Sequence, residues 1–235
     1  MKNLITSNSR DPNTFGIYLP PGEKISKDFL DQLRVINNTY TNSGNFPNYQ
    51  HSIAKLFKVK PLKITEECKQ YLGGFLEGEG SLSVGAKKND SSRFKVYIDP
   101  EFNITQHING FRNLYAALCC FQTGRIRYKS GSNATMVYTI DNRDNLKQKV
   151  IPFYEKYVTP YGSPIKKRRV EIFKQLLFLF EQKAHLDLNR MVFEVLPLWD
   201  EMRVQVGHAN QTFESLKEAQ QYVKDAASRL DLSTS

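Results

Sequence analysis

The sequence predicts an α+β fold in which helices pack against an antiparallel sheet. Apolar residues recur at helical spacing in several segments, and between them two pairs of short runs alternate apolar and polar residues, as half-buried strands do. These segments follow one another as αββαββα, with further helices at both ends. Because 235 residues with 40% hydrophobic side chains suffice for one sizeable core, we expect one main domain over 61–235, after an arm and a helical accessory segment over 1–60.

The N-terminal segment begins irregularly and then becomes helical. Residues 1 to about 22 are rich in Asn, Ser, Pro and Gly, which predicts an arm without regular structure. A helix is predicted after Ser26, the N-cap candidate, because Phe29 and Leu33 fall on one helical face. The polar residues 37–49 predict a loop after this helix.

The first helix of the main domain is predicted to begin at Thr65, another N-cap candidate. The acidic Glu66 and Glu67 follow it and suit the positive end of a helix. The helix runs into a glycine-rich nonapeptide, in which Gly80 suits the helix end. The nonapeptide reads Leu72-Gly73-Gly74-Phe75-Leu76-Glu77-Gly78-Glu79-Gly80.

Two hairpins and five further helices are predicted after the nonapeptide. The first hairpin comprises a strand over 81–87, a loop over 88–92, and an extended run from Arg93 that breaks at Pro100 and resumes over 102–106. A helix over 109–121, stopped by Gly124, leads to the second hairpin, in which 125–129 and 135–141 are joined by a turn over 130–133. Helical patterns fill 142–157, 165–182, 186–204 and 212–230.

The chain is basic. Thirty-three Lys and Arg against 24 Asp and Glu give a formal charge of +9, which favours a polyanionic partner such as nucleic acid or an anionic membrane surface. No apolar run approaches the roughly 18 residues that span a bilayer. Met1 to Arg10 lacks the apolar segment of a secretory signal, so we expect a soluble, non-secreted protein without a membrane partner.

The cysteines and histidines do not suggest a metal site. Cys68, Cys119 and Cys120 show no C-x-x-C spacing, and their odd number argues against a disulfide framework, so we interpret them as reduced thiols of the core. The four histidines form no H-E-x-x-H pattern, and we expect no zinc. They are His51, His107, His185 and His208.

The glycines of the nonapeptide require a physical explanation, because Gly inside a helix costs about 1 kcal/mol relative to Ala. Gly74 and Gly78 lie four residues apart on one helical face, where missing Cβ atoms let a second helix approach closely. Glu79 ends the helix, and its carboxylate supplies the oxygen ligands that Mg²⁺ prefers. One carboxylate per chain suffices if two chains bring their motifs together. The alternative is an amphipathic helix that ends in a Gly-rich turn, with Glu77 and Glu79 merely solvated.

The nonapeptide, followed by Ser81, resembles the signature motif of the LAGLIDADG homing endonucleases, with Glu in place of Asp at both acidic positions. The stretches 100–107 and 123–135 are similar to the group of that family found in introns of organellar large-subunit ribosomal RNA genes. The similarity covers roughly residues 64 to 205. It implies a LAGLIDADG core with a saddle-shaped sheet and site-specific, metal-dependent cleavage of double-stranded DNA. It also implies a long target, short 3' overhangs, and location in a chloroplast or mitochondrion.

The resemblance assigns catalytic roles to particular residues. It implies that Glu79 binds metal, with Gly78 beside it, and that Gln106 is the polar residue near the catalytic waters. A strand-end amide without a catalytic role is the alternative for Gln106. The implied cofactor is Mg²⁺ or Mn²⁺, with Ca²⁺ binding without supporting cleavage. A cation near the scissile phosphate is expected at the start of a later helix, where we select Lys166 and Lys167 from a run of four basic residues, the alternative being a solvated basic face.

The resemblance also implies partners. Single-motif members of the family form homodimers whose motif helices cross at a two-fold axis, and double-stranded DNA lies along the combined sheets. The residues expected at the helix crossing are Leu72, Gly73, Gly74, Phe75 and Leu76.

The polar faces of the strands are the expected DNA-reading surface, since a β-ribbon that carries Arg, Lys, Asn and Ser can lie in the major groove. Arg125, Arg127 and Lys129 are all positive, whereas an ordinary solvated face, the alternative, usually mixes charges. The candidate contacts are Ser81, Ser83, Lys87, Arg93, Lys95, Tyr97, Arg125, Arg127, Lys129, Ser132 and Asn133.

Two other functions fit the same fold. A basic surface can serve an intron-RNA-binding maturase, a splicing cofactor that would carry aromatic stacking platforms. A DNA-binding regulator on a degenerate scaffold would be indicated by loss of the motif acid. The presence of Glu79 speaks against the regulator.

Overall fold

The computed structural model describes residues 16–204 and 212–233. Apart from short helical turns, the described residues form 12 helices and strands. They are α1 (Lys27–Ser43), α2 (Phe46–Leu56), α3 (Glu66–Glu79), β1 (Gly80–Lys88), β2 (Val96–His107), α4 (Phe111–Phe121), β3 (Arg125–Tyr128), β4 (Thr135–Ile140), α5 (143–158), α6 (Pro164–Glu181), α7 (188–204) and α8 (Leu216–Ser233). Both α5 and α7 include π-helical turns. The predicted α+β class and the αββαββα order, from α3 to α5, are confirmed.

The four strands form one sheet in the order β1-β2-β4-β3, so β1 and β3 are its edge strands. In the β3–β4 pair, which is antiparallel, Arg125 lies opposite Thr139 and Arg127 opposite Val137. Ile126 and Tyr138 are fully buried between these pairs. Because side chains alternate along a strand, Arg125 and Arg127 lie on the face opposite to the core.

The chain forms two compact units. The first spans Met1–Ser81 and Asn103–Ile140, and the second spans Leu82–Phe102 and Asp141–Ser235. In the first unit α4 packs against α2 and β4, and α1 packs against β3, which places the N-terminal helices with the second hairpin. In the second unit the core lies among α5, α6, α7 and α8. None of the described helices has the length and hydrophobicity of a membrane span.

The helix starts predicted from capping residues are confirmed at Ser26 and Thr65. The Ser26 hydroxyl accepts a hydrogen bond from the Phe29 N–H, and the Thr65 hydroxyl accepts one from the Cys68 N–H, both at 3.3 Å. The last helix begins at Leu216 instead of at residue 212, because Ser215 is its cap: the Ser215 hydroxyl accepts from the Glu218 N–H at 3.2 Å.

The predicted loop over 37–49 is wrong, because α1 continues through most of it. Only Gly44, with φ of 65°, and Asn45, which caps α2, separate the two helices. The Asn and Thr residues of this stretch have low helix propensity, but tertiary packing overrides it. The ring of Tyr40 stacks on that of Tyr49 with centroids 4.4 Å apart.

The second strand also differs from the prediction. The break at Pro100 is absent, and β2 is continuous from Val96 to His107. The strand does not include Arg93 or Lys95, because Lys95 has φ of 58°, in the left-handed region. These two residues therefore belong to the loop before β2.

The end of α4 is set by a different residue from the one predicted. The helix ends at Phe121, and Gln122 adopts the left-handed conformation, with φ of 49°. Gly124 instead permits a close approach, since a Cβ there would lie 2.5 Å from the Thr139 carbonyl oxygen. Its φ of 78° and missing side chain thus allow the turn into β3.

Candidate active site and nucleic-acid interface

The glycine-rich helix α3 has one closed side and one open side. Gly74 and Gly78 are exposed, and a Cβ added to either would meet no atom of the described residues within 4 Å apart from the backbone of its own helix. Of the residues predicted for a helix crossing, Gly74 and the half-buried Phe75 lie on the open side, whereas Leu72, Gly73 and Leu76 are buried within the chain. Because the glycines on the open side have no side chains, the backbone of a second helix can approach α3 closely there.

Glu79 is the last residue of α3, and its side chain is exposed. The adjacent Gly80 is extended, with φ of −76° and ψ of 125°, so the chain turns directly into β1. The carbonyls of a helix's last turn lack intrahelical partners, and the exposed Gly78 contributes one of them. The helix end thus offers a carboxylate and carbonyl oxygens, the ligands that a hard divalent cation prefers. In 16–204 and 212–233 no three His, Cys, Asp or Glu side chains gather into a metal-binding cluster.

Gln106 lies near the end of β2 and is half-buried. Its side-chain oxygen occupies the space beside Gly110, 2.7 Å from where a Cβ of that glycine would be. The next residue, His107, accepts a hydrogen bond at Nδ1 from the Asn109 N–H at 3.2 Å, which caps the turn before α4. Glu79 and Gln106 both belong to the first compact unit.

The run of four basic residues at the start of α6 divides into different roles. Arg168 makes two hydrogen bonds with the Glu201 carboxylate, at 2.7 and 2.8 Å. Arg169 is buried and donates to the Leu82 carbonyl at 2.6 Å and to the Met202 carbonyl at 3.2 Å. Arg169 therefore stabilises the second unit, whereas Arg168 pairs with an acid at the surface.

The lysines of this run, Lys166 and Lys167, lie in the first turn of α6 and are half-buried. Ser163 caps this turn, and its hydroxyl accepts from the Lys166 N–H at 3.3 Å. Both lysines belong to the second unit. Their role at a phosphate stays a prediction.

The polar face of the first hairpin carries acids as well as the predicted candidates. Ser81, Lys87 and Tyr97 are exposed, and Ser83 is half-buried. The Lys87 ammonium lies 2.7 Å from the Asp99 carboxylate, and this hydrogen bond raises the pKa of Lys87. Asp99 and Glu101 follow Tyr97 at alternate positions of β2 and therefore share its face. The alternation in the sequence could have identified these two acids, which were not among the candidates.

The two predicted DNA-contact candidates in the loop before β2 have side chains that contact other residues of the same loop. The Lys95 ammonium donates to the Asp90 carbonyl at 2.5 Å. The Arg93 guanidinium lies over the Phe94 ring, 5.6 Å from its centroid. Both side chains are thus placed by loop contacts instead of by a strand.

The turn of the second hairpin is held by one of its candidates. The Ser132 hydroxyl donates to the Lys129 carbonyl at 2.7 Å and accepts from the Thr135 N–H at 3.2 Å. The Tyr128 hydroxyl donates to the Ser132 carbonyl. Ser132 therefore fixes the turn, while the exposed side chains of Lys129 and Asn133 project from it.

The cysteines are free thiols, as predicted, with Cys119 buried and Cys68 and Cys120 half-buried. Burial raises the pKa of Cys119, and it raises that of Cys120 to about 11, which keeps both protonated at neutral pH. Of the four histidines, which were predicted to form no zinc site, His208 lies outside the described residues.

Comparisons with known proteins identify close relatives. Residues 72–174 match the family model described as LAGLIDADG endonuclease. The chain is 50% identical over 207 residues to DNA endonuclease I-CeuI of Chlamydomonas moewusii, which covers 88% of this chain and 95% of that protein. It is 30% identical over 128 residues to homing endonuclease I-ApeII of Aeropyrum pernix, covering 54% of this chain and 73% of the relative.

Two solved structures resemble the fold. I-CeuI complexed with DNA matches with a TM-score of 0.85 at 50% identity, covering 88% of this chain and all of that one, 100%. The archaeal endonuclease I-Vdi141I complexed with DNA matches with a TM-score of 0.61 at 29% identity, covering 69% of this chain and 98% of that one.

Proposed function

The chain belongs to the LAGLIDADG endonuclease family, and we infer from this membership that it is a homing endonuclease that cleaves both strands of DNA at a specific site. The observation that carries this conclusion is the 50% identity to I-CeuI over 88% of the chain, and the exposed Glu79 at the end of the motif helix supports it. The target that we propose is a long sequence in a large-subunit ribosomal RNA gene, cut to leave short 3' overhangs. The green-algal source of I-CeuI supports the proposal of an organelle as the location.

We propose Glu79, together with the Gly78 carbonyl, as the chain's contribution to a Mg²⁺ or Mn²⁺ site. Hard oxygen donors at an open helix end fit such an ion. A bound divalent cation would help to ionise the attacking water and would stabilise charge on the leaving oxygen. Ca²⁺ is expected to support DNA binding without cleavage.

The other residues that we propose as catalytic would orient water or neutralise the phosphate charge. Gln106 has an amide that can both donate and accept hydrogen bonds, which suits it to orient a water molecule. Lys166 and Lys167 carry ammonium groups, which suit the negative charge of a phosphodiester. Glu79 supplies the negative charge that favours binding of the cation.

The active form that we propose is a homodimer. The open side of α3, with Gly74 and Gly78, fits a crossing of two motif helices, because nothing lies within 4 Å of their missing Cβ positions. Each chain would then place its own Glu79 near the crossing. Two sites, one for each DNA strand, account for cleavage of a duplex.

A maturase on the same fold is not favoured. The relatives over most of the chain carry the names of DNA endonucleases, and the I-CeuI structure of the same fold is complexed with DNA. The basic residues of β3 serve DNA as well as RNA, so charge alone gives no preference.

Cleavage of a plasmid that carries an intronless large-subunit ribosomal RNA gene tests this function. The purified protein with Mg²⁺ is expected to linearise it, and Glu79→Gln to bind the same DNA but to cleave at least about 100-fold more slowly, since even outer-shell changes at metal sites cost 10- to 100-fold. Glu67→Gln, the same change at the opposite end of α3, is the matched control and should cleave normally. Undiminished cleavage by Glu79→Gln would show that Glu79 does not hold the metal.

A further inference from the structure

The edge strand β3 is covered by side chains of the N-terminal helices. An edge strand presents N–H and C=O groups that no neighbouring strand pairs. At Ile126, in the middle of β3, these two groups find partners on α1 and α2, although residues 37 and 49 are far from β3 in the sequence.

The partners form a closed ring of three hydrogen bonds. The Ile126 N–H donates to the Tyr49 hydroxyl at 2.7 Å, this hydroxyl donates to the Asn37 side-chain oxygen at 3.0 Å, and the Asn37 amide donates to the Ile126 carbonyl at 2.9 Å. Burial raises the pKa of Tyr49, so its hydroxyl stays protonated and can both donate and accept. Two side chains thus replace the strand that the edge lacks.

This ring holds the backbone between two arginines. Ile126 separates Arg125 from Arg127, and the Ile126 side chain is fully buried on the core face. The two arginines therefore project from the opposite face of the same fixed peptide segment. The position of the Ile126 backbone sets the directions in which both arginine side chains leave the strand.

The N-terminal segment also holds the other end of the second hairpin. The Ile25 N–H donates to the carbonyl of Asn133, in the turn, at 3.0 Å. Leu19 exchanges two hydrogen bonds with the Asn109 side chain, at 2.8 and 2.9 Å, before α4. The segment from Leu19 to Tyr49 thus contacts the hairpin at its edge and at its turn.

We propose that Asn37 and Tyr49 are positioning residues for DNA recognition, which fix β3 so that Arg125 and Arg127 meet the DNA in one orientation. The proposal rests on the proposed function, in which β3 reads DNA. It gives residues 16–60 a function in recognition. Fixing the two cations before binding reduces the loss of side-chain and backbone entropy on binding, which improves affinity.

DNA binding in Ca²⁺ by the full-length Tyr49→Phe variant tests the proposal. The loss of the hydroxyl leaves the ring stack with Tyr40 in place. It is expected to raise the dissociation constant about five- to tenfold, a size typical of the interaction energy between residues in one hydrogen-bond network. Tyr40→Phe removes a hydroxyl one ring away and is the matched control, with unchanged affinity. If Tyr49→Phe does not fold, Asn37→Asp replaces it, because the carboxylate cannot donate to the Ile126 carbonyl.

A double-mutant comparison separates positioning from a general loss of stability. In the Arg125→Ala, Arg127→Ala background, Tyr49→Phe should weaken binding less than about twofold, because the cations that it positions are gone. An equal loss in both backgrounds, or no loss in the wild-type background, overturns the proposal. If the two Arg→Ala changes alone leave affinity unchanged, the role of β3 in the proposed function fails instead, whatever Tyr49→Phe does.

Discussion

The side-chain oxygen of Gln106 lies 2.7 Å from the position that a Cβ of Gly110 would occupy. Real Cβ atoms do not approach an oxygen this closely, so the present placement of the Gln106 amide requires glycine at residue 110. The backbone of Gly110 has φ of −93°, which other residues adopt readily. Glycine is therefore needed here for the space beside Gln106 and not for its conformation.

Gly110→Ala is expected to reduce cleavage without unfolding the protein. The methyl group displaces the flexible end of Gln106, for which we propose a catalytic role, and misplacement of a catalytic group by about 1 Å can cost about 100-fold in rate. Single-turnover cleavage with Mg²⁺, together with a thermal melt, measures both effects. In a Gln106→Ala background the same change should have no further effect on the rate, and an additive loss there would contradict this role for Gly110.

Asp99→Asn is expected to strengthen DNA binding and to make it more dependent on salt. Asp99 holds the Lys87 ammonium at 2.7 Å and adds negative charge to the proposed DNA-reading face. Without the carboxylate, Lys87 can pair with a phosphate, and each phosphate neutralised steepens the slope of log affinity against log salt by about 0.9. Dissociation constants in Ca²⁺ over a series of salt concentrations measure this slope.

Lys87→Met separates the two effects of Asp99. In that background Asp99→Asn should leave the slope unchanged, because the cation that gains a phosphate is absent. Weaker binding by Asp99→Asn alone would instead indicate that its carboxylate accepts a hydrogen bond from a base.

The sequence predicts the elements whose signals are local and misses those that depend on distant partners. The strict alternation from Ser81 to Lys87 suffices for β1, and the cap at Thr65 suffices for the start of α3. The basic run at α6 is different, because Arg168 and Arg169 have partners 33 residues away at the end of α7, and Arg169 has a further partner, Leu82, 87 residues away. Nothing in the spacing of four cations predicts that Arg168 and Arg169 bind these distant partners.

The other errors in the predicted secondary structure occur where the residue types do not indicate the backbone conformation. Phe94 is buried, at 5% exposure, and continues the alternating apolar pattern of β2 in the sequence. The positive φ of Lys95 nevertheless ends the strand, so Phe94 lies in the loop before it. The polar stretch over 37–49 is helical because of the Tyr40–Tyr49 stack and the hydrogen bonds of Asn37. Such contacts are set by the tertiary fold, so local propensity predicts a loop.

Gly74→Leu is expected to prevent the dimerisation that we propose while the monomer stays folded. The side chain at this position would project into open space, since no atom lies within 4 Å of the Cβ position, and leucine favours a helix over glycine. Sedimentation velocity should show a monomer, and Mg²⁺-dependent linearisation should be lost. Gly74→Ala gives a smaller effect in the same direction. A dimer that persists in Gly74→Leu would place the interface on another surface.

Arg169→Met is expected to destabilise the second unit, whereas Arg168→Met has little effect. Methionine keeps the buried apolar stem but leaves the Leu82 and Met202 carbonyls without their donor, which costs about 1–3 kcal/mol. Arg168 is an exposed neighbour whose bridge to Glu201 is screened by water, and it provides the matched control. Urea unfolding measures both variants, and equal stabilities would rule out a structural role for Arg169.

His185 makes stability depend on pH. Its ring meets Phe180 edge-on with centroids 5.3 Å apart, and among the described residues its Nδ1 is buried without a hydrogen-bond partner. Burial, and then the charge of Arg143, lower the pKa of His185. The unfolded chain therefore takes up a proton at the ordinary pKa of about 6.5, before the folded chain does, so the free energy of unfolding falls as the pH drops below that value.

His185→Phe should remove part of this dependence. The difference in urea midpoint between about pH 7 and about pH 5 is expected to be smaller than in the wild type, because the aromatic replacement cannot bind a proton. His51→Gln, a change at an exposed histidine, is the control variant. An unchanged difference in His185→Phe would mean that His185 is protonated as easily in the folded chain as in the unfolded one.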